Sequence, residues 1–597
     1  MMKENVLQWA TVSVAGIMMG STTLAAPTHL VDERPVEISH VSPDVVLVDF
    51  GKVAYGNLRL QPPANATGTV TVHFGEDFVD GRINRKPKGT VRYNQTSVTL
   101  AGSQAIVAAP PADPRNTELV STRKHYHPPA ILTPEEWGVV LPFRWVEIEG
   151  WNGTLKPEQI VRQSAYASTW KDDAAAFESS DDMLNRIWDL CRYSIKATTF
   201  AGVYVDGDRE RIPYEADAYL NQLSHYYTDD DKVMARDTIN YLLLDGIGTW
   251  PTEWAPHMVF MVHADWMHTG DLGWMSGRYQ ALKSKLLLHR KGDDGLIFSE
   301  EVDMKKTDIV DWPQKERDGY VFTPRNTVVN AFYLRAIKLM AEMARAIGFE
   351  EEAKRYEADF DASYAAFQKT FFDEGKGLYL DGVDTDHISS HANLYPLAFG
   401  LVPEPHRSGM ADWLAGRGMR CSVYAAQYLM EGLFENGAGT QALALMVADN
   451  DRSWKHMVDS GTTISWEAWD LKYKPNQDWN HAWGAAPANL LPRYVLGAEP
   501  LAPSWKTARI SPNLGDLKSA QGKVPTRMGA ILVEWEVAGN FKMKLQLPEG
   551  MAAQVDLPAV GESSQVLLDG KPVKASLRAG RWVLEERVEG SVVIEVR

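Results

Sequence analysis

Two short segments of this chain concentrate groups able to move protons. Residues 205–217 read Val-Asp-Gly-Asp-Arg-Glu-Arg-Ile-Pro-Tyr-Glu-Ala-Asp and hold five carboxylates and two arginines in 13 positions. Gly207 and Pro213 interrupt helical pattern there, so the segment is expected on a loop joining two helices. Apolar sequence surrounds it, with Phe200, Tyr204 and Tyr214 close by, which points to a pocket rim more than a solvated loop. The second segment runs from Gly461 to Asp470 and sets Glu467 between Trp466 and Trp469. Burial beside indoles disfavours a carboxylate's charge, so this carboxyl is expected to have a raised pKa. Asn480 and His481 follow in Asp478-Trp479-Asn480-His481-Ala482-Trp483-Gly484. Two separated acidic motifs suit glycoside hydrolysis, in which one carboxyl protonates the leaving oxygen and the other activates water or attacks carbon. Five tryptophans fall between 454 and 483, and flat indoles stack well on the apolar faces of sugars.

The elements that must position these groups are legible in the changing hydrophobic period. From residue 27 to about 165 the sequence is strand-like. Segments 45–51, 68–75 and 96–100 are short and β-branched, and Trp145-Val146-Glu147-Ile148-Glu149-Gly150 alternates apolar with charged residues. A Pro/Ala-rich stretch from Ala108 to Pro134 reads as a long loop. After about 170 the period becomes helical. Ser179 to Asp182 resembles a capping box, and Met183, Leu184, Ile187, Trp188, Cys191 and Ile195 share one helix face. Further helices are predicted at 232–244, 327–346, 350–372, 423–434 and 439–448, with Gly348 and Gly437 at C-cap positions. So long a run of helices with short connections suggests hairpins curled into an α/α barrel. Strand pattern returns after Pro500, including a hairpin-turn signal at Leu568-Asp569-Gly570-Lys571. The predicted domains are a signal peptide at 1–26, an N-terminal β-sandwich at 27–168, the barrel at 169–499 and a C-terminal β-sandwich at 500–597.

Composition narrows the chemistry. The 597 residues include 61 Lys plus Arg against 78 Asp plus Glu, a net charge of −17, which offers no basic surface for nucleic acid. The start of the chain pairs Lys3 with an apolar, small-residue run ending Thr23-Leu24-Ala25-Ala26, the pattern of a secretory signal. The chain is therefore expected to cross the inner membrane to the periplasm. No later apolar run reaches the length of a membrane span. Two cysteines, Cys191 and Cys421, sit in apolar helix-like sequence and form no disulfide framework. No phosphate loop, nucleophile elbow or Cys-x-x-Cys pair is present, so no cofactor or metal is expected.

At the two acidic motifs the sequence resembles the α-L-rhamnosidases of glycoside hydrolase family 78. Arg209-Glu210-Arg211, Tyr214 and Asp217 match that family's acidic loop, and Thr462 to Glu467 resembles its Thr-Thr-x-Trp-Glu motif with one extra residue, Ile464 and Ser465 standing between the Thr pair and Trp466, followed by Asn480-His481. Segments 144–150 and 510–517 resemble the junctions of its flanking β-domains. The resemblance implies an (α/α)6 barrel and an exo-acting, inverting hydrolase that releases terminal α-L-rhamnose or a close relative from oligosaccharides or glycosides. It implies Glu210 as general acid and Glu467 as general base. Asp206 or Asp208, with Arg209 and Asp217, would bind sugar hydroxyls. Tyr214, Trp254, Trp312 and Trp466 would shape the pocket, with Asp311 and His481 nearby. The acidic loop also departs from the family: Asp206-Gly207-Asp208-Arg209 is one residue shorter than the usual Asp-Cys-Pro-x-Arg form, and Pro213-Tyr214 replaces Gly-Trp. Two other readings are a polysaccharide lyase or uronyl hydrolase on the same barrel, and a sugar-binding protein without catalysis.

Overall fold

A computed structural model describes residues 27–117, 129–243, 249–561 and 564–597. The predicted signal peptide lies outside these residues, as does part of the Pro/Ala-rich loop. The N-terminal unit is an eight-stranded antiparallel sheet with the central order Thr28–Glu33, Ile160–Ala167, Val45–Leu60, Leu141–Glu149, Thr67–Gly75, Tyr93–Ala101. The 16-residue strand Val45–Leu60 breaks register between Asp49 and Ala54. It pairs with Glu37–Ser42 at one end and with Ile160–Ala167 at the other. Alternation places Val48, Phe74, Val146 and Ile148 in a core of its own.

The helical region closes into an (α/α)6 barrel, and burial shows how. Helix α1, Asp182–Ala197, buries only the face of Leu184, Ile187, Trp188, Cys191 and Ile195, as its periodicity predicts. Its N-cap is Asp181, whose carboxylate accepts from the amides of Met183 and Leu184 at 2.8 and 3.0 Å. Helix α2, Glu215–Thr228, is buried almost all round, polar residues included. This alternation of half-buried and enclosed helices continues. The enclosed set is α2, His257–Thr269, Thr327–Ala346, His391–Ala398, Val423–Glu435 and the terminal pair Pro487–Leu490 and Leu491–Val495. Each enclosed helix packs on the next, and Pro487–Leu490 packs back on α2, so the ring is closed. The outer set is α1, Val233–Leu243, Leu272–Leu282, Glu350–Phe371, Arg407–Arg417 and Gly439–Met446. Gly348 and Gly437 follow helices with φ of 84° and 87°, a conformation open to glycine and strained for other residues. Among the described residues no helix is long and apolar enough to cross a membrane. Cys191 and Cys421 are buried free thiols.

The C-terminal unit packs a seven-stranded sheet against a six-stranded one. Asp569 and Gly570, both at positive φ, make the predicted hairpin turn between Val566–Leu568 and Lys571–Val573. One strand of this unit comes from elsewhere in the chain. Ala176–Ser179, just before α1, pairs with Ser519–Thr526 at the edge of the seven-stranded sheet. The segment leading into the barrel is thus stitched to the domain that follows it. Barrel and C-terminal unit share one continuous apolar core, and Trp535 locks the two by donating from Nε1 to the Val495 carbonyl at 2.9 Å. Trp535→Ala should therefore cost ~3–5 kcal/mol. We expect the near-UV signal of the barrel tryptophans and the far-UV signal of the C-terminal sheet to melt together at a lowered temperature. Separate melting of the two signals would contradict a shared core.

Candidate active site

The acidic loop is pinned at its neck. The Asp206 amide donates to the Ile212 carbonyl at 2.9 Å, and the Ile212 amide donates to Asp206 Oδ1 at 2.9 Å. Arg211 takes φ of 53° at the turn, and its amide donates to the Gly207 carbonyl at 2.9 Å. Gly207 is required by crowding, since a Cβ there would stand 2.7 Å from the Asp478 carboxylate. The loop therefore presses directly on the segment carrying the second motif.

Behind the loop lies a buried ion network that sequence alone did not reveal. Asp208 accepts from Arg211 Nη2 at 2.9 Å and from Arg92 Nε of the N-terminal sheet. Burial would raise its pKa, but these two guanidinium groups hold it below the ordinary value. The Asp208 amide donates to Asn480 Oδ1 at 2.8 Å, and Asn480 donates to Glu76 Oε1 at 2.9 Å. Burial pushes the Glu76 carboxyl up to about 8. Asp208 thus faces away from the cavity and ties the N-terminal unit to the barrel, so of the two aspartates left open by the sequence, Asp206 is the one at the pocket.

In front of the loop opens a cavity of about 310 Å³. Its polar lining comprises Asp206, Arg209, Glu210, Asp217, Glu467, Lys474, Asn476 and His481, and its aromatic walls are Tyr214, Trp250, Trp254, Trp312 and Trp483. The two motifs, separated by 258 positions, are joined by a bidentate ion pair. Arg209 Nη1 and Nη2 donate to Glu467 Oε2 and Oε1 at 2.8 and 2.9 Å. Lys474 Nζ lies 3.0 Å from Glu467 Oε1, and the Asp478 amide donates to Oε2 at 3.1 Å. Burial raises the Glu467 pKa, yet Arg209, Lys474 and His481 reverse the effect and bring it to about 2. The expectation of a raised pKa from the flanking indoles is therefore overturned by the cations around the carboxylate, Arg209 from the acidic loop first among them.

Glu210 is a quarter exposed and accepts from the Tyr214 hydroxyl at 2.9 Å. Asp206 is 2 % exposed, and burial together with the Glu210 charge pushes its carboxyl well above the ordinary range. Asp217 begins α2 and accepts from His481 Nε2 at 2.7 Å; burial raises its pKa, against the opposing His481 bond. Trp254 Nε1 and His481 Nδ1 are buried with no hydrogen-bond partner among the described residues, the kind of donor or acceptor that a polar ligand satisfies. Tyr214 and Trp483 meet Trp254 edge-on, and Trp250 meets Trp312 in the same way.

The structure brings Asp206, Arg209, Glu210, Tyr214, Asp217, Trp254, Trp312, Glu467 and His481 to one cavity. It sets three predicted site residues outside it. Asp208 serves the network just described. Asp311 is fully buried and accepts from the Ser422 amide, His391 Nε2 and the Trp312 amide at 2.8, 2.7 and 2.8 Å. It braces Trp312 and the helix that starts at Val423. Trp466 stacks on Trp479 at 5.1 Å, outside the cavity lining. Trp250, Lys474, Asn476 and Trp483 were not singled out from sequence. Lys472 and Lys474 are the lysines between Glu467 and His481, the one signal that a cation would reach the carboxylate. Glu467, Asp478 and His481 bring possible metal-ligand atoms within 4.8 Å of one another. Arg209 and Lys474 already supply the positive charge there, so the trio is poorly suited to a cation.

Residues 172–495 match the family model described as bacterial alpha-L-rhamnosidase 6 hairpin glycosidase domain. Residues 497–568 match that family's C-terminal domain and 39–117 its concanavalin-like domain. An alpha-L-rhamnosidase of Alteromonas sp. (strain LOR) is 24 % identical across 98 % of this chain and 65 % of its own. One from Streptomyces avermitilis is 21 % identical across 89 % of this chain and 50 % of its own. The chain thus spans between half and two thirds of these relatives. Among solved structures, the alpha-L-rhamnosidase from Dictyoglumus thermophilum superposes with TM-score 0.78 at 18 % identity, covering 96 % of this chain and 64 % of that one. The S. avermitilis enzyme complexed with L-rhamnose gives 0.75 at 18 % identity, covering 96 % and 54 %.

Removing Asp208 would leave Arg92 and Arg211 buried without their shared carboxylate. Asp208→Ala should cost roughly 3–5 kcal/mol. The check is a melting curve: a variant as stable as the parent would mean that the network does not join the two units.

Proposed function

The chain belongs to the bacterial α-L-rhamnosidase family, glycoside hydrolase family 78, and from that premise we propose that it hydrolyses terminal α-L-rhamnosides with inversion. The observation that carries this reading is the placement of Glu210 and Glu467 on one aromatic-walled cavity with different partners, the Tyr214 hydroxyl on Glu210 and Arg209 with Lys474 on Glu467. Glu467, clamped by two cations, stays ionised through the working pH range and suits a base. Glu210 stands beside Asp206 at the pocket and suits the proton donor. In the proposed reaction a water gives its proton to Glu467 while its oxygen attacks the anomeric carbon. The bond to the leaving oxygen breaks, and that oxygen takes the Glu210 proton.

The substrate side follows from the lining. A deoxy sugar offers one apolar methyl and three hydroxyls. Trp254, Trp312 and Trp250 supply apolar wall, while Asp206, Asp217, His481 and Trp254 Nε1 supply hydrogen-bond partners. A cavity of about 310 Å³ suits one terminal sugar unit more than a polymer interior, which supports exo action on a glycoside or oligosaccharide. Export to the periplasm, read from the first 26 residues, completes the proposal.

The test is incubation with an aryl α-L-rhamnoside beside a panel of plant and algal oligosaccharides, followed by proton NMR. The first product formed should be the β anomer of rhamnose. First release of the α anomer would mean retention and sink the assignment. Appearance of unsaturated products would indicate a lyase instead. Glu210→Gln should reduce turnover by at least about 10²-fold, within the usual contribution of general acid catalysis, while its melting temperature stays near that of the parent.

A further inference from the structure

The Glu467 carboxylate has no acceptor position left for a water. An ionised carboxylate offers about four lone-pair sites. Oε1 accepts from Arg209 Nη2 at 2.9 Å and has Lys474 Nζ at 3.0 Å. Oε2 accepts from Arg209 Nη1 at 2.8 Å and from the Asp478 amide at 3.1 Å. A general base must receive a proton at one of these sites, so one donor has to leave.

Three of the four are fixed. The Asp478 amide is backbone, and its carbonyl accepts from the Glu467 amide at 3.1 Å in return. Arg209 is held at both prongs, and its Nη1 also donates to the Asn476 carbonyl at 2.9 Å, while its backbone amide donates to Asp478 Oδ2 at 3.2 Å. Lys474 is the exception. It meets Glu467 at a single point on a flexible four-carbon stem, its second partner is Asn476 Oδ1 at 3.3 Å, and it lines the cavity itself.

We infer that Lys474 is a positioning residue that occupies the water's acceptor site on Glu467 in the empty pocket and transfers its ammonium to a sugar hydroxyl when substrate binds. The inference rests on Glu467 being the base. Sugar binding then frees Oε1 and removes one positive charge from the carboxylate at the moment the base is needed. Before binding, the base is capped. The other charged and titratable groups facing Glu467 are Arg209 from the acidic loop, Asp217 from the first turn of α2, and Asp478 and His481 from its own segment.

The test compares kcat and KM across pH on an aryl α-L-rhamnoside for the parent, Lys474→Met and Lys474→Arg. Removing an opposite charge within about 4 Å of a carboxylate is worth ~1–3 pH units. The acidic limb of kcat/KM should therefore rise by at least about one unit in Lys474→Met and stay near the parent in Lys474→Arg. KM of Lys474→Met should rise several-fold more than kcat falls. An acidic limb superimposed on the parent, with a uniform loss at every pH, would overturn the inference and leave Lys474 a structural residue. If Lys474→Met melts early, Lys474→Gln gives the same comparison with a donor kept and the charge removed. Glu467→Gln separates the two readings. Full activity in that variant rejects the base assignment, whereas an unmoved limb in Lys474→Met together with an inactive Glu467→Gln rejects only the role of Lys474.

Discussion

The bidentate pair between Arg209 and Glu467 is the constraint on which the site depends. It binds the loop entering the second barrel helix to the loop entering the last, and so fixes the width of the cavity between them. A guanidinium suits this task because its fork matches both carboxylate oxygens at once and cannot lose its proton. The pair also settles the electrostatics. A buried carboxylate without such a partner would take up a proton, and Glu467 would then present a donor where the chemistry calls for an acceptor. Asp206 shows the opposite outcome a few ångströms of loop away: it lacks a guanidinium partner, faces another carboxylate, and is driven toward its neutral form.

The pair works because its surroundings cannot move. Trp483 Nε1 donates to the Glu467 carbonyl at 3.0 Å, and the Asp478 carbonyl and amide bond the Glu467 amide and carboxylate in turn, holding the segment from the other side. The N-terminal sheet supplies the rest. Tyr55 donates to Asn480, Arg92 holds Asp208, and Thr90 reaches the Asp478 carboxylate. An all-β unit that lines none of the cavity is nonetheless its back wall. Asp208 and Asp311 belong to this supporting layer, which is why motif position alone placed them at the sugar. Each is a carboxylate next to a residue that does face the pocket.

How much of this was visible in the sequence depends on how sharply a helix divides into an apolar and a polar face. The outer helices α1 and Glu350–Phe371 bury one face, so their periodicity is strong and their bounds could be read closely. Helices His257–Thr269 and His391–Ala398 were not recognised. They are enclosed on all sides, carry an apolar run or an internal proline, and show no amphipathic contrast. In α2 the polar residues face inward to partners on neighbouring helices, so the pattern is blurred further. The same logic covers the site. Glu210, Glu467, Asp217 and His481 stand in recognisable motifs, but the pKa of Glu467 is set by Arg209, a residue 258 positions distant that no local window contains. Lys474 falls between motifs and became visible only when the loop folded back.

The closure of the inner ring has a bearing on the life of the chain as well as on its shape. The first and last enclosed helices are neighbours in space and lie about as far apart in sequence as the barrel allows. Loop-closure entropy grows only slowly with such separations, so the cost in stability is small, but contacts of this range form late. A ribosome delivers Glu210 long before Glu467, and the acid loop waits unpaired while roughly half the protein is still being made. Products of interrupted synthesis, or of proteolysis before the last hairpin docks, carry Glu210 with no Glu467 opposite it. Completeness of the barrel is in this sense a precondition for the cavity, enforced by topology.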